Sequence, residues 1–68
     1  GRLPDTWREI VGERAAAETT QLRLENRILH VRIRSSVLRS ELFRQREALA
    51  AEINRRSKVR LVASVIIR

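Results

Sequence analysis

The stretch LHVRIRSS, residues 29–36, sets an apolar side chain at every second position. Leu29, Val31 and Ile33 share one parity, and His30, Arg32 and Arg34 share the other. Successive side chains of a strand point to opposite faces, so the spacing predicts a strand with one apolar and one cationic face. The apolar face is expected to cover a core. The cationic face needs another explanation.

Upstream, TTQLRLEN (residues 19–26) alternates in the same way, with Leu22 and Leu24 against Gln21 and Arg23. Glu25-Asn26 offers a turn, since asparagine tolerates left-handed backbone geometry. Residues from about 20 to 34 are therefore predicted to form a hairpin, with its return strand beginning at Arg27. Before it, LPDTWREIVGERAAAE (residues 3–18) carries helix-start chemistry. Asp5 or Thr6 can cap it, and Thr6 with Glu9 has capping-box spacing. Trp7, Ile10 and Val11 share one helical face, which predicts a first helix over about residues 5–17. Gly12 inside it costs about 1 kcal/mol relative to alanine. Arg14, near the apolar stripe, must reach water or pair with Glu18.

Downstream, Ser35 or Ser36 can cap a second helix over about residues 36–55, with Leu38, Leu42, Leu49 and Ile53 on one stripe. Gln45 falls within that stripe and Phe43 outside it. The closing VRLVASVIIR predicts a strand over about residues 59–67, apolar on both parities and so expected to be covered on both sides. The order α-β-β-α-β predicts a two-layer α+β fold, a three-stranded sheet with two helices on one face. Its core comprises Trp7, Ile10, Val11, Leu29, Val31, Ile33, Leu38, Leu42, Leu49, Ile53, Val65 and Ile67. The opposite sheet face is expected to carry Ile28, His30, Arg32 and Arg34 beside Val62 and Ile66, a mixture of apolar and basic groups suited to contact.

The 68 residues suffice for one small domain. Fifteen basic residues stand against eight acidic ones, a net charge of +7, and all the basic residues but Lys58 are arginine. Arginine presents a planar fork that grips phosphate or carboxylate at two points. After Glu52 no acid follows, while Arg55, Arg56, Lys58, Arg60 and Arg68 do. The tract NRRSKVR (residues 54–60) suits phosphate, although cations also favour the negative end of a helix dipole. Arg32, Arg34, Arg55, Arg56, Lys58 and Arg60 are the candidate nucleic-acid contacts. Ile28, His30, Val62 and Ile66 are the candidate protein interface, with a homodimer through the sheet as one form of it.

Catalysis has no support. The chain lacks cysteine and tyrosine, and His30 is its only imidazole. The spacing offers no metal site, no cofactor motif and no glycine-rich phosphate loop. The Glu9–Glu13 pair lies opposite the Trp7 stripe on solvated surface. Neither a membrane span nor a signal peptide is recognisable, so the expected location is the cytoplasm.

The ordered set W-x-x-I-V-G (Trp7, Ile10, Val11, Gly12), I-L-x-V-x-I (Ile28, Leu29, Val31, Ile33), S-S, R-x-E-L (Arg39, Glu41, Leu42), L-x-x-x-I-N (Leu49, Ile53, Asn54) and V-I-I-R resembles the DciA family. The resemblance covers Leu3 to Arg68. It implies a fold similar to a K-homology (KH) domain and an accessory role in bacterial DNA replication. The implied partners are DNA and the DnaB-type replicative helicase, which such a protein would help to load or operate by binding alone. Three departures stand out. The GxxG loop with which KH domains clamp a strand is absent. Ser57 and Lys58 stand where the family tends to end its long helix with an apolar residue and a glycine, and Arg14 replaces a usually apolar residue. A protein-interaction module and an RNA-binding KH-like domain are the alternatives the residues leave open.

Overall fold

The computed structural model describes residues 2–68. Its elements are α1 (Leu3–Val11), α2 (Glu13–Ala17), β1 (Thr19–Glu25), β2 (Ile28–Ile33), α3 (Ser36–Arg44), α4 (Arg46–Ser57) and β3 (Ser64–Ile67). The sheet has the order β1-β2-β3, with β1 antiparallel and β3 parallel to the central β2. A parallel neighbour requires a crossover connection, which α3 and α4 supply. All helical packing falls on the face of Leu29, Val31 and Ile33, giving the two-layer α+β arrangement that the alternation predicts.

Each predicted helix is broken once. Gly12, at φ +93° and ψ 165°, separates α1 from α2, a conformation almost closed to residues with a Cβ. The first helix also starts earlier than predicted. Leu3 opens it behind Arg2, Pro4 lies in the first turn, and no side chain caps the end. Asp5 and Thr6 are thus helical residues, and the Thr6–Glu9 capping box does not form. The second break is at Gln45, whose N–H reaches back to the Leu42 carbonyl at 3.0 Å and interrupts the α-helical ladder. Ser35 caps α3, its hydroxyl accepting from the Leu38 N–H at 3.4 Å. The helix after the break runs on to Ser57 and ends on Lys58 at φ +61°.

The hairpin is tighter than predicted. Glu25 pairs with Ile28, leaving a two-residue loop of Asn26 and Arg27, both at positive φ. Two left-handed residues match the twist of the flanking strands, which is why such loops favour this turn.

The last strand is shorter than the run of apolar residues suggests. Residues 59–63 satisfy their backbone elsewhere: Asn54 donates to the Val62 carbonyl at 2.9 Å and accepts from the Val62 N–H at 2.8 Å. This clamp turns Val62 into the core, where it is 1 % exposed, and rules it out as an interface residue. Ile66 lies on the open face, half-buried, and Val59 is exposed, so this segment is not covered on both sides.

The core unites both layers. Trp7, Leu29, Val31, Ile33, Leu42, Leu49, Ile53, Val65 and Ile67 are buried as predicted, while Ile10, Val11 and Leu38 pack partly buried against them. Ala15 and Ala50 join them, with Leu3, Leu22, Leu24 and Leu61 at the margin. The Trp7 indole N–H donates to Thr19 Oγ1 at 3.0 Å, and that hydroxyl donates to the Ala15 carbonyl at 2.9 Å. One bonded chain therefore ties α1, α2 and β1 together with no buried side-chain polar atom unpaired among the described residues.

Candidate nucleic-acid interface

The strand pairing sets side chains in rows across the uncovered sheet face. Arg23, His30 and Ile66 form one row, since Arg23 opposes His30 and His30 opposes Ile66. Gln21 opposes Arg32, and the Arg68 backbone continues the β2–β3 ladder beside Arg32, its N–H donating to the Val31 carbonyl at 2.8 Å and its carbonyl accepting from the Ile33 N–H at 2.7 Å. Ile28 sits at the hairpin end of the face, between Glu25 and Ser64. Gln21, Arg23, His30, Arg32 and Arg68 line a shallow depression. Arg32 and Arg68 are exposed and form no ion pair among the described residues, and Arg23 reaches Glu25 at 3.7 Å. The face is cationic along one end and apolar, through Ile28 and Ile66, towards the other.

Arg34 does not belong to it. The strand ends at Ile33, and Arg34 turns back to Glu18 at 3.7 Å, the carboxylate that was one of the two alternatives for Arg14. Arg14 is exposed and reaches water instead.

The basic tract divides into two behaviours. Arg55 grips Glu52 with a two-pronged contact of 3.1 and 2.5 Å, and Arg56 donates to the same carboxylate at 2.9 Å. Arg56 also reaches Glu9 on α1 at 3.3 Å. The hydrogen bonds from Arg55 and then Arg56 hold the Glu52 carboxyl well below its ordinary range, at about 2, and the same contact raises the Arg55 guanidinium. Arg55 and Arg56 thus spend their charge within the chain. Lys58 and Arg60, beyond the helix, stay exposed and free of ion pairs among the described residues.

Sequence reasoning missed Arg23, Arg68 and Gln21 on the face, although Arg23 alternates with Leu22 and Leu24 and Arg68 has the outward parity of Ile66. It missed Arg27 altogether. Phe43, set off the helical stripe, is 49 % exposed and covered on one side by the Arg46 guanidinium, 4.2 Å from the ring centre. Trp7 is buried and Phe43 lies on α3, so the His30 imidazole is the ring that the open sheet face carries.

Among the described residues no group of three or more His, Asp or Glu could hold a metal ion, and no helix is long and apolar enough to cross a membrane. Compared with known families, residues 1–67 match the family model described as Dna[CI] antecedent, DciA. No curated protein and no solved structure matches the chain.

Proposed function

The chain belongs to the DciA family, and on that premise we propose that it is an accessory module of DNA replication that acts by binding, holding DNA on its open sheet face and working with a DnaB-type replicative helicase. The observation that carries the DNA reading is the uncovered face itself, where Arg32 and Arg68 stand free beside Arg23 and His30. Neighbouring strands are about 4.8 Å apart, so the guanidinium groups can engage successive oxygens of one backbone. With neither Trp7 nor Phe43 on the face and His30 the one imidazole there, the contact is directed chiefly at phosphate and depends little on sequence. Stacking two copies through this face would set both groups of arginines against each other, which opposes a homodimer there, whereas a polyanion neutralises them.

Fluorescence anisotropy with labelled single-stranded and duplex DNA, scanned over salt, tests the reading. Two to three phosphates neutralised on this face give a log–log salt slope of about −1.4 to −2.1 on a single strand and about −1.8 to −2.7 on a duplex, and Arg32→Glu with Arg68→Glu abolishes most of it. An RNA strand of equal sequence separates the RNA alternative. Titration of the chain against the replicative helicase by calorimetry tests the protein partner. Weak, salt-independent binding to every nucleic acid, together with no heat on adding helicase, overturns the proposal.

A further inference from the structure

Three residues other than glycine hold positive φ: Asn26 at +51°, Arg27 at +65° and Lys58 at +61°. Asparagine visits this region readily, but a long side chain there crowds its own backbone. Arg27 takes the second place of a two-residue turn in which glycine is the preferred companion of asparagine. Lys58 takes the helix C-cap, where glycine is again favoured. The chain thus twice keeps a cation where its backbone calls for glycine. The dipole of α4 supplies a local reason for Lys58, but no helix end acts on Arg27.

The fold brings the two loops together. Arg27 Nη2 donates to the Arg60 carbonyl at 3.1 Å, and the Arg27 carbonyl accepts from the Ala63 N–H at 2.7 Å. Arg27 and Arg60 line one open cleft of about 450 Å³ with Ala50, Ala51 and Asn54 of α4, and no acidic residue lines it. Arg27, Lys58 and Arg60 are all exposed, and none forms an ion pair among the described residues. The Asn54 clamp on Val62 fixes the loop that carries Arg60.

We infer that this pole is a second phosphate site, separate from the sheet face, in which Arg27 and Arg60 hold the backbone of a nucleic-acid strand at the cleft between the hairpin turn and the loop after α4, with Lys58, two residues before Arg60 and outside the cleft lining, adding charge at its margin. The inference rests on the reading of DNA as partner and adds a place for it. Strained backbone conformations cluster at ligand-binding sites, and here two of them carry cations. The alanines leave room for a sugar-phosphate chain and offer no ring to a base, so this contact too is indifferent to sequence.

The experiment compares Arg27→Gly, Lys58→Gly, the double variant and Arg60→Gln with the unaltered chain, using thermal unfolding and anisotropy on a labelled single strand. Lys58→Gly relieves strain and raises Tm, whereas in Arg27→Gly the relief is offset by loss of the bond to the Arg60 carbonyl. The double variant nonetheless weakens DNA binding several-fold at about 0.1 M salt and flattens the log–log salt slope by about 0.7 per contact removed. Arg60→Gln flattens it by the same amount with Tm unchanged. A structural role would move stability and affinity downward together, and that result overturns the inference. Unchanged affinity and slope in the double variant and Arg60→Gln, with Arg32→Glu still weakening binding, removes this pole and leaves the sheet face standing. Failure of the unaltered chain to bind DNA removes both.

Discussion

Replacing Gly12 by alanine sets two physical effects against each other with opposite signs. A continuous first helix, as the sequence alone suggests, would be stabilised by about 1 kcal/mol, because alanine is the better helix former. In the structure Gly12 is not helical: φ +93° and ψ 165° fall in a region open essentially to glycine alone. A Cβ built there meets no atom within 4 Å, so no steric clash with neighbours contributes. The whole penalty is backbone strain, about 1–3 kcal/mol, partly offset by about 0.4–1 kcal/mol from the stiffer unfolded chain. The net expectation is a loss of about 0.5–2 kcal/mol. For a domain of this size each kcal/mol is about 4–8 °C in Tm. Escape into a continuous helix would pull Ala15 from the core and break the bonds linking Trp7, Thr19 and Ala15. Urea unfolding followed by Trp7 fluorescence measures the change, and an unaltered m-value confirms the same native state. A D-alanine at the same position, reachable by synthesis, should stabilise instead. Stabilisation by L-alanine would refute the broken-helix reasoning.

Other substitutions test other joints of the molecule. Asn54→Ala strands the N–H and carbonyl of the buried Val62, and should cost about 2 kcal/mol or more in a denaturant titration. Thr19→Val leaves the Trp7 indole N–H and the Ala15 carbonyl without their partner, for a loss of about 1–2 kcal/mol and an altered Trp7 emission. The Glu52 carboxyl should titrate by NMR with a midpoint near 2, against an ordinary 4.5. Because the folded value is the lower one, its contribution to stability is complete above the ordinary Glu range and is lost as pH falls towards about 2, so Glu52→Gln should flatten stability against pH across that acid window. The same substitution releases Arg55 and Arg56, and should steepen the salt dependence of DNA binding, measured by anisotropy.

The layer arrangement was legible because β2 announces it. Leu29, Val31 and Ile33 alternate without a break, and only burial of that parity satisfies them. Helix ends and strand ends were not legible, for reasons specific to each. At Gly12 and Gln45 the apolar stripe continues across the break, so periodicity registers no interruption of the backbone. At residues 59–63 the composition is that of a strand, yet the chain obeys a side chain eight residues earlier: Asn54 takes both backbone groups of Val62 and directs it inward. Hydrophobic patterning cannot foresee a polar clamp of this kind: Asn54 stands in the L-x-x-x-I-N element, but its spacing does not say which backbone groups it takes. The candidate site was half legible for the same reason. Parity put Arg32, His30 and Ile66 on the open face, but whether an arginine is free depends on which carboxylate folding brings to it.

That dependence decides where the chain's positive charge can act. Six of its eight acidic residues, all but Glu41 and Glu47, stand in ion pairs, and the cations they occupy are Arg8, Arg23, Arg34, Arg55 and Arg56. The densest basic run, Arg55-Arg56, is therefore among the least available. It works as a brace, joining α4 through Glu52 and Glu9 to α1. A polyanion binding there would first have to displace two carboxylates, and that exchange of partners gains little. The free cations of the sheet and its margins, Arg32, Arg68, Arg27, Lys58 and Arg60, offer their charge with no such displacement. On the proposed reading a strand of phosphates engages them at two places, and release of its condensed counterions supplies a driving force that scattered single anions lack. The adjacent pair Arg55-Arg56 is thus occupied within the chain, while Arg27, Arg32, Arg60 and Arg68, spread along the sequence, stand without ion pairs among the described residues.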